Sequence, residues 1–212
     1  MRSLPGCVTG CEASSAKKPE YMARVFQLAS ILSVLLLPAV AAERLPAEAR
    51  RQIGVTTSYD PDYVQIAYPG GDVPVDRGVC TDVVIRALRC LGLDLQKAVH
   101  EDMAAHFSAY PRLWGLRRPD KNIDHRRVPN LRTYFTRRGW ALPVTHNARD
   151  YRPGDLVTCL VGSNLPHIFI VSDATTAEGE PLIIHNIGRG VVEEPGLFEF
   201  ELTGHYRPKL RR

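Results

Sequence analysis

From Arg152 to Asn186 the chain reads RPGDLVTCLVGSNLPHIFIVSDATTAEGEPLIIHN. Three short apolar runs, Asp155 to Val161, His167 to Ser172 and Leu182 to His185, are separated by turn residues, which is the pattern of consecutive β-strands. Gly190 to Val192 and Leu197 to Leu202 continue the series. Upstream the period changes. Behind Cys80 the apolar residues Val83, Val84, Ala87, Leu88 and Leu91 recur at helical spacing, with Thr81 and Asp82 in the first turn and Gly92 just past the end. Further helices are predicted over Leu95 to Phe107 and over Pro129 to Arg138, the latter with proline at its start and Gly139 as its stop. Helices first and consecutive strands later argue an α+β fold with an antiparallel sheet, not alternating βαβ units. Between an amphipathic stretch at Pro46 to Val55 and the Cys80 helix, Ser58-Tyr59-Asp60-Pro61 reads as a helix-ending turn and Tyr63 to Ala67 as a strand.

The whole chain has 212 residues, 44% hydrophobic and 24% charged, a balance that excludes disorder and collagen-like structure. Its 27 Lys and Arg against 23 Asp and Glu leave a formal charge of +4, too small for a dedicated nucleic-acid binder. Five cysteines are too few for a disulfide scaffold. With no HExxH or other spaced ligand set, no metal and no cofactor are expected.

Val25 to Val40 reads VFQLASILSVLLLPAV, preceded by Lys17, Lys18 and Arg24 and closed by Ala39-Val40-Ala41. A basic start, a short apolar run and small residues at its end form the three-part pattern of a secretory signal, with cleavage expected after Ala41; an uncleaved anchor is the alternative. Met22 is a plausible true start, in which case Cys7 and Cys11 never reach the mature protein. The expected organisation is a signal peptide at 1–41, a helical lead-in at 42–66 and one domain at 67–212, exported to the periplasm or beyond and touching the membrane only through the signal before cleavage. Mature cysteines are then Cys80, Cys90 and Cys159, an odd number that leaves at least one free thiol.

A thiol becomes nucleophilic when its thiolate is stabilised, and Cys80 opens a helix whose first-turn amides point toward the sulfur. It follows Gly78-Val79, so the loop can approach closely before the helix begins. The alternative is a buried structural cysteine, which describes Cys90 and Cys159 better. Cys90 lies ten residues on in the same helix, about 15 Å away, and cannot pair with Cys80. His167 opens one strand, and His185-Asn186 ends another in a polar pair. A thiol, an imidazole and a polar residue in these places form a Cys–His–polar constellation, in which the third group sets the imidazole's tautomer.

The order Cys-on-helix, PGDLV, H-I-x-I-V and I-I-H resembles the NlpC/p60 cysteine peptidases of the papain-like superfamily, which cut peptidoglycan stem peptides. The stretches YPGGDVPVDRGVCTDVVIRALR, LQKAVHEDM, NIDHRRVPNL, HIFIVSD, HNIGRGVVEE and GHYRP resemble the exported bacterial family catalogued as domain of unknown function 1287. The resemblance implies a papain-like fold, with a helical N-terminal part and the nucleophile helix packed on an antiparallel sheet. It implies Cys80 as nucleophile, His167 as proton acceptor, and His185 as the imidazole-orienting residue, with Asn186 second in that role. Tyr68, ahead of Gly70-Gly71, resembles a tyrosine that such enzymes place upstream of the nucleophile. One departure is Phe169, where these proteins carry a small residue; it shares a strand face with His167 and would either narrow the cleft or pack under it.

Asp82 in the nucleophile helix, and the cluster Asp124-His125-Arg126-Arg127, are candidate cleft residues. The two arginines could pair with a carboxylate, or the cluster could form surface salt bridges at a helix start. His100-Glu101-Asp102 reads as a solvated or salt-bridged helix face. The expected function is an exported cysteine hydrolase acting on an amide bond in peptidoglycan or another envelope substrate. The alternatives are an acyltransferase or esterase of the same fold, and a non-catalytic envelope-binding module.

Overall fold

The structure, a computed structural model, describes residues 42–162 and 164–210. The signal segment expected at 1–41 lies outside the described residues. Among the described residues no helix is long and apolar enough to cross a membrane.

Among the described residues four α-helices precede the main sheet: α1 (Leu45–Arg50), α2 (Cys80–Cys90), α3 (Leu95–His106) and α4 (Val128–Arg137). Two-residue strands β1 (Ser58–Tyr59) and β2 (Arg77–Gly78) pair in parallel between α1 and α2. The main sheet holds β3 (Ala141–Leu142), β4 (Leu156–Val161), β5 (Leu165–Thr175), β6 (Pro181–Asn186), β7 (Val191–Glu194) and β8 (Glu201–Tyr206). Its order is β3-β8-β4-β5-β6-β7, with every neighbouring pair antiparallel. The α+β expectation therefore holds: helices come first and pack with a six-stranded antiparallel sheet.

Helix α2 is the centre of the molecule. Cys80, Val83, Val84, Ile85, Ala87 and Leu88 are all buried, so the helix is covered on more than the single face its apolar spacing suggests. Leu45 and Ala49 of α1 and Ile168, Ile170 and Ile184 of the sheet belong to the same core. The other sheet face carries a second core of Tyr151, Val157, Cys159, Phe169, Val171, Ile183 and Leu197. Successive strand residues alternate between these two layers, Ile168 and Ile170 under the helices and Phe169 and Val171 away from them.

Two predicted strands are corrected. Tyr63 to Ala67 is irregular chain, exposed but for its half-buried Ile66, whose amide is held by Asn122 Oδ1 at 3.2 Å. The last strand does not run over Leu197 to Leu202 but begins at Glu201. Leu197 is fully buried and Phe198 and Phe200 pack beside it, so these apolar side chains plug the second core from a turn that follows Gly196. The buried network at the sheet's start ties distant sequence together: His205 Nε2 lies 2.7 Å from Asp155 Oδ2, and Arg207 donates to both Asp155 oxygens at 2.7 and 2.6 Å. Burial pushes the Asp155 carboxyl up, but hydrogen bonds from His205, Arg207 and the Arg152 amide outweigh it and hold the group below its ordinary value. On the opposite side Arg137 of α4 reaches Asp102 of α3 at 2.6 Å, and Lys97 pairs with Glu101 at 2.7 Å, as the salt-bridged reading of that face anticipates.

Candidate active site

The chain turns sharply into α2. Asp82 Oδ2 accepts the Val79 amide at 2.7 Å, capping the helix from within its first turn. A methyl group on Gly78 would lie 3.0 Å from both the Asp82 Cβ and its Oδ2, tighter than ordinary contact, so a side chain there would press on the carboxylate that caps the helix. Arg126 then donates from Nε and Nη2 to the Asp82 carboxylate at 3.0 and 2.9 Å, and from Nη1 and Nη2 to the Asp62 and Asp60 carbonyls. Thr81 Oγ1 donates to the Arg126 carbonyl at 3.0 Å. The loop before Cys80 is thus locked from both sides.

Asn186 holds the other end. It shares the helix-side face of Ile184, and its Nδ2 donates to the Ser58 and Gly78 carbonyls at 3.1 and 2.9 Å. It therefore positions the strand that leads into the thiol and does not touch an imidazole. Asn186→Ala removes these two hydrogen bonds and the one its Oδ1 accepts from the Gly188 amide, and is expected to cost about 1–3 kcal/mol in urea unfolding.

Cys80 is 4% exposed. Backbone amides of Ile168, Thr81 and Cys80 itself are directed at its sulfur and favour a thiolate, yet burial dominates and pushes the thiol up to about 12, with the Asp82 charge adding to the rise. Cys80 lines a groove of about 600 Å³ together with Tyr59, Tyr63, Leu113, Trp114 and Arg126. Leu113, Trp114, Tyr63 and Leu165 at its edge are exposed apolar side chains. Another cavity, about 490 Å³ beside Trp140 and Pro208, includes none of the predicted catalytic residues.

The two predicted histidines meet. His167 Nε2 lies 2.9 Å from His185 Nδ1, and His185 Nε2 lies 3.0 Å from Glu194 Oε1 on β7. Arg189 pairs with the same glutamate. A carboxylate accepts, so His185 carries its proton on Nε2 and offers Nδ1 as a lone pair; His167 must then donate from Nε2, which leaves its own Nδ1 unprotonated. Burial and the neighbouring His185 hold His167 down to about 3, and burial likewise lowers His185 against the opposing pull of Glu194. Both rings are neutral at pH 7.

Thiol and imidazole are not hydrogen-bonded to each other among the described residues. By strand alternation His167 turns toward the face of Phe169, and its ring lies 6.4 Å from that of Phe200 in the second layer, whereas the Cys80 sulfur sits against the Ile168 amide on the helix side. The two groups are presented by and against consecutive residues of β5. Phe169 is fully buried in the second core, so it packs beneath the strand and does not narrow the groove.

The remaining candidates separate. Tyr68 stacks edge-on against His100, 5.1 Å between ring centres, under Lys121, and does not line the groove. The tyrosine beside the thiol is Tyr59, whose hydroxyl is pushed up to about 12 by burial and then by the nearby Cys80 and Asp82 acids. Asp124 is buried, accepting the Asp120 amide at 2.5 Å, and its carboxyl is raised by burial. His125 is buried with Nδ1 unpaired and is lowered to about 4, by burial first and the Arg126 charge second. Neither lines the groove, whereas Arg126 and Arg127 do. Tyr59, Glu194 and Arg189 are the residues sequence reasoning missed; the acidic pair closing VVEE after the His185 strand was the available signal for Glu194. Cys80, Cys90 and Cys159 are all free thiols, Cys90 exposed and Cys159 buried.

The profile of the family described as "Domain of unknown function (DUF1287)" matches residues 46–208. The chain is 58% identical over 159 residues to "Uncharacterized protein YijF" of Escherichia coli (strain K12), covering 75% of this chain and 78% of that protein. No solved structure matches it. With the match spanning helices, sheet and groove alike, the chain belongs to the DUF1287 family.

Proposed function

We propose that the protein is an exported, papain-like cysteine hydrolase that cleaves an amide bond in peptidoglycan peptides. The observation that carries this reading is the relay from Glu194 through His185 to His167, because it leaves a lone pair on His167 Nδ1, one residue from the amide that touches the Cys80 sulfur. A buried chain of two imidazoles and a carboxylate fixes tautomers, and that is the task of an orienting residue in nucleophilic catalysis.

The resting pair is a neutral thiol and a neutral imidazole, since the thiol titrates high and the imidazole low. Attack therefore needs general-base help. In the proposed cycle the groove fills, His167 Nδ1 closes on the thiol and takes its proton, and the sulfur bonds to the substrate's carbonyl carbon. The developing oxyanion is received by the Cys80 amide. Collapse breaks the C–N bond, the amine departs with the proton held by His167, and water then cleaves the thioester to release the acid and restore the thiol. This reading requires His167, which turns toward the opposite face of β5 from the Cys80 sulfur, to be carried to the helix side when the groove fills, a rearrangement of the strand end larger than the tightening of a preformed hydrogen bond.

A second reading is favoured by one observation: the groove lining contains the thiol and no imidazole, which suits a cleft that binds envelope peptide without cutting it. One experiment separates them. The mature chain is incubated with purified peptidoglycan and new termini are read by mass spectrometry. Hydrolysis is expected from the wild type, with a loss of about 10³-fold or more in Cys80→Ala and in His167→Ala. Co-sedimentation with intact sacculi and no new termini establishes the binding module; neither cleavage nor sedimentation overturns both readings.

A further inference from the structure

Of the two arginines beside the thiol, only one is free to meet a ligand. Arg126 spends all three guanidinium nitrogens on Asp82, Asp60 and Asp62 and is held in place by them. Arg127 makes one long contact, 3.4 Å from Nη1 to Asp124 Oδ1, and that carboxylate is already occupied by the Asp120 amide. Its guanidinium carbon lies over the Trp114 ring, 4.1 Å from the ring centre, at the wall of the Cys80 groove. Nε and Nη2 make no hydrogen bond among the described residues, and the side chain is 18% exposed. A planar cation held by an aromatic face, with one edge unpaired and turned to a groove, is the arrangement that receives a carboxylate in two parallel hydrogen bonds. The rest of the groove near it is apolar: Leu113, Ile123, Val128 and Pro129.

We propose that Arg127, stacked on Trp114, is the carboxylate receptor of the groove, so that the ligand bound beside Cys80 is a peptide carrying a free carboxylate flanked by apolar surface. This deepens the proposed function by naming the anchoring group of its substrate, and rests on that reading only in taking the groove as the place where substrate lies. Burial supports the assignment, because it lowers Arg127 against the pull of Asp124 and Asp120, the mark of a charge the fold leaves under-neutralised.

Binding can be read without turnover. The chain has two tryptophans, so a Trp140→Phe background leaves Trp114, directly under Arg127, as the single tryptophan, excited selectively over the tyrosines at the red edge of indole absorption. The probes are N-acetyl-Ala-Ala with a free C-terminal carboxylate and the same dipeptide as its C-terminal amide. The acid is expected to change Trp114 emission and to bind about tenfold or more tighter than the amide, the difference shrinking to about twofold in Arg127→Gln and persisting in part in Arg127→Lys. Raising salt to 1 M is expected to weaken the acid and leave the amide unchanged. Equal response to acid and amide, or an acid preference that survives Arg127→Gln, overturns the proposal, as does no response to either probe. Far-UV circular dichroism on each variant shows whether the fold persists, and Arg127→Lys serves if the glutamine variant unfolds. Failure of hydrolysis with a retained acid preference removes the hydrolase reading alone; cleavage with no acid preference removes Arg127 alone.

Discussion

Arg126→Ala is expected to destabilise the protein by about 3–5 kcal/mol, seen as a lower urea midpoint at unchanged slope. Arg126 and Asp82 have side chains only 3% exposed each, and no other cation reaches the Asp82 carboxylate among the described residues. Removing the guanidinium strands a carboxylate whose one remaining partner is the Val79 amide. The double variant Asp82→Asn with Arg126→Met separates charge from shape. The asparagine oxygen still accepts the Val79 amide, the methionine fills the space of the arginine stem, and no charge is left to desolvate. Stability is expected to return to within about 1–2 kcal/mol of wild type, as buried pairs replaced together commonly do. A loss under about 1 kcal/mol in the single variant would show that water reaches Asp82, and that Asn186 and the Asp82 cap suffice to hold the loop before Cys80.

Much of this arrangement was legible in the residues. The helix start at Cys80 follows from the 3.6-residue spacing of Val83, Val84, Ala87 and Leu88, and the close approach at Gly78 from a glycine just before it. Strand order placed a histidine and a polar pair on successive strands, and the family resemblance singled out His185 as the partner of His167. What escaped has a physical cause in each case. Strands β1 and β2 have two residues apiece, too few to display a period, so Ser58-Tyr59-Asp60-Pro61 read as a turn and Tyr59 was lost from the site. The separation of Cys80 from His167 by the thickness of β5 depends on which sheet face α2 covers, and both faces here are apolar, so alternation alone does not say which is which. Arg126 and Arg127 are adjacent and chemically identical; only the three-dimensional partners, Asp82 for one and Trp114 for the other, distinguish a structural cation from an available one.

Stability is expected to fall steeply as the pH drops from about 6.5 to about 4.5, a window most of which lies above the ordinary carboxylate range. His167 is held down to about 3 and His125 to about 4, and His185 is lowered as well. In the unfolded chain each imidazole binds its proton near pH 6.5. Below that value the unfolded state holds more protons than the fold, so the folded state is progressively disfavoured, and the loss levels off only once pH has passed the folded values. A fully unprotonated imidazole contributes at most about 1.4 kcal/mol per pH unit, so His167, held down to about 3, accounts for on the order of 2 kcal/mol over the window, and His185 adds a loss of the same sign. Asp155, held below its ordinary value, adds a loss of the same sign, but only as pH falls below about 4. His167→Gln is therefore expected to flatten the pH 6.5–4.5 slope by about one proton, measured as urea stability at half-unit steps, while His125→Gln flattens it independently. A wild-type slope near zero in this window would mean that the imidazoles accept protons within the fold. The relay to Glu194 would then no longer dictate a lone pair on His167 Nδ1, and the thiol would lose the base that the proposed chemistry requires.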